Sequence, residues 1–254
     1  MTYVYDQAWK EERKRLAGME DLWDPGTKAV IEALGIAPGW RCLEVGAGGG
    51  SIAEWLAEQV GPEGEVLATD VSTRYLDALE APNLQVREHD ILSDPLPEAN
   101  FDLVHARLVV EHLGRPALER MKPPLRRGGW LVLEDYSMST GAINPPDERV
   151  ERVVDALLAF MSQAGFDPEY GTKLVHELES LGLEGVAADA RARVYRGGSP
   201  GTAFARFTLE SLGERLVESG AIGEDDLEHA LSAVRDPANV LISPLMVAAW
   251  GRRP

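Results

Sequence analysis

Cysteine is almost missing from this chain, and the single one, Cys42, excludes an intrachain disulfide and any metal site built from several thiolates. No metal is expected. Cys42 lies in an apolar run and is expected to fill core space. Basic residues are scarce too: 25 Lys and Arg stand against 42 Asp and Glu, a formal net charge of -17. Nucleic-acid binding draws on neutralised phosphates and released counterions, so a polyanionic partner is not expected. Lys10, Arg13, Lys14 and Arg15 do cluster, but Glu11 and Glu12 interleave them, as on a solvated helix face. No apolar run approaches the ~20 residues of a membrane span. The stretch Met1 to Asp6 lacks a basic segment followed by an apolar one, so no secretory signal is expected and the cytoplasm is the expected compartment.

What the chain does have is glycine concentrated in one place. The apolar run Cys42-Leu43-Glu44-Val45 meets Gly46, Gly48, Gly49 and Gly50, and Ile52, Ala53, Trp55, Leu56 and Val60 then recur with helical spacing. This is the pattern of a strand, a tight turn and a helix. Glycines there permit positive φ and let a ligand approach the backbone. The helix beginning near Ser51 adds unsatisfied N–H groups aimed at the same space. Gly46-Ala47-Gly48 also opens the dinucleotide fingerprint G-x-G-x-x-G, whose third glycine would fall at 51, where Ser51 stands. Glu44 argues against that rival, because a carboxylate would repel a pyrophosphate and suit a cationic amino group. Asp70, 24 positions after Gly46 at the end of the run Glu65 to Asp70, is placed to accept ribose hydroxyls from either kind of nucleoside.

Glu44, Gly46, Gly48 and Gly50 match the pattern acidic-x-Gly-x-Gly-x-Gly, and the chain here resembles motif I of the class I S-adenosylmethionine-dependent methyltransferases. The resemblance covers residues 41 to 136 through five ordered landmarks: the glycine loop, Asp70, Asp90 with Ile91, the block Phe101-Asp102-Leu103-Val104, and the Gly128-Gly129 turn. Arg127 stands where that turn usually has proline, a change in loop stiffness more than in chemistry. The resemblance implies an α/β fold, a Rossmann-like seven-stranded mostly parallel sheet whose last strand is antiparallel. It implies S-adenosyl-L-methionine as cofactor, with Trp23, Glu44, Gly46, Ala47, Gly48, Ser51, Asp70, Val71, Asp90, Ile91, Ala106 and Arg107 as its contacts. Transfer of a methyl group in line to a small-molecule acceptor is the implied activity. Glu111, His112 and Asp135 lie where the acceptor is expected and are the candidates for removing its proton; rim, capping and solvation roles are open to them as well. Two rivals remain: a protein that binds S-adenosylmethionine without transferring its methyl, and a nicotinamide-dependent (NAD) oxidoreductase.

The flanks are expected to be helical. Residues 1–36 form a lid in two pieces, broken at Asp24-Pro25-Gly26-Thr27, with Tyr3, Tyr5, Trp9 and Trp23 making it aromatic. The resemblance implies that residues 37–254 form the methyltransferase domain, with helical cover segments at about 144–182 and 197–236. Pro145-Pro146 opens the first of these. Strands are expected over Val186 to Val194 and Val240 to Trp250, and the working form is a monomer or a homodimer.

Overall fold

The structure is a computed structural model and describes residues 11–254; Tyr3, Tyr5, Trp9 and Lys10 lie outside the described residues. In chain order come α1 (Glu12–Ala33), β1 (Arg41–Val45), α2 (Ser51–Val60), β2 (Glu65–Asp70), β3 (Leu84–Glu88), β4 (Phe101–Arg107), α3 (Val110–Leu113), α4 (Arg115–Met121) and β5 (Leu125–Ser137). There follow β6 (Ala142–Asn144), α5 (Glu148–Gln163), α6 (Leu174–Ser180), β7 (Glu184–Arg191), β8 (Val194–Arg196), α7 (Ala203–Glu218), α8 (Glu224–Arg235), β9 (Val240–Ile242) and β10 (Leu245–Arg252). The chain divides into two compact units, one of residues 24–137, 169–191 and 246–254, the other of the chain through 23 with 138–168 and 192–245.

The first unit holds a seven-stranded sheet in the order β3-β2-β1-β4-β5-β10-β7. Strands β1 to β5 run parallel, and β10 pairs antiparallel with β7, as the sequence predicts. Parallel strands are covered on both faces, so they read as continuous apolar runs. All seven residues of β4 are buried accordingly. One face packs Cys42, Ala68, Leu103, Val132 and Ala248 against Ile52, Leu56 and Val60 of α2 and Val30 and Ile31 of α1.

Two expectations fail here for stated reasons. The lead does not break at residue 24: α1 runs on with Pro25 inside it. Asp24 and Thr27 are both buried and bond to Arg107, and those contacts hold the turn helical against the local proline signal. The late apolar run does not form one strand either. Pro244 cannot donate to a ladder, and at Ser243-Pro244 the chain leaves β9, in one sheet, for β10 in another.

The second unit carries a three-stranded antiparallel sheet, β6-β9-β8, and the helices α5, α7 and α8. Its core includes Val153, Leu157, Leu212, Leu216, Ala230 and Val234. Helix α5 starts after Asp147, later than Pro145-Pro146 suggests, because that carboxylate caps it, accepting from Arg149 N at 3.0 Å and Val150 N at 3.2 Å. No helix among the described residues is long and apolar enough to cross a membrane.

Candidate functional site

The turn after β1 holds three glycines at positive φ: Gly46 at 70°, Gly48 at 57° and Gly50 at 88°. The N–H groups of Gly46 and Ala47 donate to the Thr69 carbonyl at 2.8 and 3.0 Å, so this turn is sewn to the end of β2. Gly48 N donates to Asp70 Oδ2 at 2.9 Å, and Ser72 N to Oδ1 at 3.1 Å. A Cβ on Gly46 would lie 2.4 Å from Val109 Cγ2, which explains why no larger residue stands there. Gly50 caps α2 without any side-chain bond, and Ser51 is the first helical residue. Burial pushes the Asp70 carboxyl up from its ordinary range, against the pull of the Gly48, Ser72 and Val71 N–H groups. Its two oxygens together offer about four acceptor sites, so these bonds leave capacity for a hydroxyl. Next to it Val71 is 54% exposed, a large apolar side chain open at the strand end.

At the end of β3, Asp90 makes a turn. Its Oδ1 accepts from Leu92 N at 2.8 Å, and its N–H donates to Asp94 Oδ2 at 2.9 Å. Ile91 is buried, its carbonyl held by Arg120. The structure thus brings Glu44, Gly46, Ala47, Gly48, Ser51, Asp70, Val71, Asp90 and Ile91 to the carboxyl ends of three adjacent strands, β1, β2 and β3. Open parallel sheets bind ligands along that edge.

Glu44 does not stand alone. Its Oε2 is 2.7 Å from His105 Nδ1, and His105 Nε2 is 3.9 Å from Glu134 Oε2. Glu134 receives Arg191 at 2.7 Å and the Thr27 hydroxyl. Thr27 Oγ1 accepts from Arg107 at 2.9 Å, and Arg107 binds Asp24 at 2.8 Å. The three cations and three carboxylates are each at most 12% exposed at the side chain. Burial alone would lower the His105 pKa, yet the neighbouring charges of Glu44 and Glu134 hold it up at about 9. Burial likewise tends to raise Glu134, and His105, Arg191 and Arg107 overcome this and hold it down at about 2. Gly26 gives Arg191 room: a Cβ there would lie 2.0 Å from its Nε.

Side chains alternate faces along a strand, so Asp135 points away from this network. Glu111 N donates to Asp135 Oδ1 at 3.3 Å, and Glu111 Oε2 accepts from Tyr136 N at 3.0 Å. His112 Nε2 lies 3.6 Å from Glu111 Oε1, with a side chain 13% exposed. Asp135 Oδ2 is buried with no hydrogen-bond partner among the described residues. Burial and the charge of Glu111 hold the Asp135 carboxyl well above its ordinary range.

Glu111, His112 and Asp135 therefore form one group. Ala106 is 1% exposed, and the Arg107 guanidinium donates to Asp24 and Thr27. Trp23 is completely buried and belongs to the second unit. Sequence reasoning missed Asp24, Thr27, His105, Glu134 and Arg191 as a set. A signal existed: His105 and Arg107 sit in a strand with no exposed residue, and ionised groups there require partners.

Residues 43–133 match the model of a methyltransferase domain. Methyltransferase str2 of Strobilurus tenacellus is 33% identical over 146 residues, 55% of this chain and 52% of that one. The ubiquinone/menaquinone biosynthesis C-methyltransferase UbiE of Ectopseudomonas mendocina is 30% identical over 159 residues, 58% of this chain and 59% of that one. Among solved structures, phosphoethanolamine N-methyltransferase 2 of Haemonchus contortus, in complex with S-adenosyl-L-methionine, superposes with a TM-score of 0.55 at 15% identity, covering 99% of this chain and 54% of that one. The matches thus span about half the length of these relatives. Residues 43–133 are thus similar to a methyltransferase domain, and the seven-stranded sheet has the class I S-adenosylmethionine-dependent methyltransferase fold.

Proposed function

We propose that this chain is an S-adenosyl-L-methionine-dependent methyltransferase acting on a small-molecule acceptor. The observation that carries this is the meeting of Glu44, the glycine turn and Asp70 at neighbouring strand ends inside the matched segment. The donor set suits the cofactor: a carboxylate for an ammonium group, free backbone at a helix start, and a carboxylate with spare acceptor sites for ribose hydroxyls. Val71 and Ile91 supply apolar surface for the adenine ring, and Asp90 an acceptor for its amino group. The net charge of -17 speaks for a small molecule over nucleic acid.

The bound cofactor supplies an electrophilic sulfonium methyl. What remains for the protein is to align the acceptor, exclude water and, for a hydroxyl acceptor, take its proton. His112, the most exposed of its group, with Glu111 beside it, takes that proton. Burial and the charge of Glu111 favour the protonated form of Asp135, which then acts as a hydrogen-bond donor.

Calorimetry with S-adenosylhomocysteine, followed by incubation with methyl-labelled cofactor and a panel of phenols, amines and carboxylates, tests this. Binding with label in product is expected; binding with no product from any acceptor would move the chain to a non-transferring binder. Asp70→Ala is expected to weaken binding by about 1–3 kcal/mol through the lost ribose bonds. Unchanged affinity would remove Asp70 from the site.

A further inference from the structure

The pair Glu44–His105 is not needed to balance the buried network. Without it, Arg107 and Arg191 still face Asp24 and Glu134, two cations against two carboxylates joined through Thr27. Yet His105 is completely buried, its ring aimed at a carboxylate one residue short of the glycine turn. The two residues are direct partners across the parallel pair β1–β4, which puts both side chains on one face. A single charge-assisted hydrogen bond to one oxygen of this buried carboxylate fixes its rotamer and leaves the other oxygen for a second donor.

Resting on the cofactor assignment above, we propose that His105 is a positioning residue for the cofactor's amino-acid tail: its Nδ1–H holds Glu44 Oε2 so that Oε1 receives the tail's ammonium group. The ammonium then meets a carboxylate that is already oriented. Glu134, 3.9 Å beyond on the Nε2 side, offsets the imidazolium charge so that it does not repel the incoming cation. His105 itself touches no ligand.

The test uses two ligands that share the nucleoside, S-adenosylhomocysteine with the tail and 5′-methylthioadenosine without it. His105→Gln is expected to weaken S-adenosylhomocysteine about tenfold, the scale of one charge-assisted hydrogen bond. It should leave methylthioadenosine within about twofold, and it should add nothing in the background of Glu44→Gln. Equal loss for both ligands would mark His105 as merely structural and overturn the proposal, as would unchanged binding of S-adenosylhomocysteine or additive losses in the double variant. Should His105→Gln fail to fold, nitrogen NMR of the His105 ring in the unaltered protein decides the matter. A shift on adding S-adenosylhomocysteine but not methylthioadenosine supports the proposal, and no difference between them overturns it. Failure of the unaltered protein to bind either ligand is a different result, for it removes the cofactor assignment itself.

Discussion

Two clusters of ionisable groups lie on opposite faces of one sheet edge, separated by the single step from Glu134 to Asp135, and they solve burial in opposite ways. On the α1 face three carboxylates meet three cations, and the charges persist. On the other face Glu111 and Asp135 lie together, with His112 Nε2 3.6 Å from Glu111 Oε1. There burial and the charge of Glu111 favour the protonated form of Asp135. Balanced charge makes a fixed scaffold, whereas unbalanced charge makes a group whose protonation can follow its surroundings. A turn that must keep its shape belongs beside the first, and proton handling beside the second.

The largest expected effect comes from unbalancing the scaffold. Arg107→Met strips Asp24 of its close partner and should cost about 3–5 kcal/mol, read from urea unfolding. A loss below about 1 kcal/mol would show that the network is no more than a surface-like set of ion pairs.

The next effect separates the clusters by pH. Unfolded Asp135 releases its proton above about pH 4, while in the folded state burial and the charge of Glu111 move that release to higher pH. The folded state then binds more protons, so this group's stabilisation is full below about pH 4 and is lost as pH rises through the raised native value. Glu134, held at about 2, contributes fully above the unfolded carboxylate range and loses its contribution only as pH falls toward 2. His105, held at about 9, contributes fully below about pH 6.5 and loses its contribution as pH rises through 9. Between about pH 4.5 and 6.5 the scaffold should be flat and the acid pair should slope downward. Asp135→Asn, nearly isosteric with the protonated acid, should abolish that slope in a series of unfolding curves. A slope that survives the substitution belongs to other groups.

The smallest effect on stability falls on His112. His112→Ala should cost less than about 1 kcal/mol, as for a partly exposed residue outside the balanced network, while removing the basic limb of the methyl-transfer pH–rate profile. Retention of that limb would show that His112 is not the base.

Much of this was legible in the residues. Apolar runs around Glu44 and before Asp70 placed β1 and β2, Asp90 marked the end of β3, and the glycines placed the turn between β1 and α2. The unbroken α1 was not legible. Proline and glycine at 25 and 26 signal a stop locally, and only Arg107 and Arg191, distant in sequence, make a helix worth keeping there. The split of Glu134 from Asp135 follows from strand alternation, and both are buried, as is Tyr136 after them. His105 was the least visible, since its partner Glu44 lies 61 positions away and is specified by strand pairing.

The small antiparallel sheet has a consequence for the order of assembly. Its central strand, Val240–Ile242, pairs with Ala142–Asn144 on one side and Val194–Arg196 on the other, so the two outer strands have nothing to join until the chain has been made past residue 242. Most of the second unit's sequence precedes the piece that closes it, and the strand that inserts beside β5 comes later still. Both sheets are finished by the last fifteen or so residues, so during synthesis the chain waits with its longest-range pairings unmade.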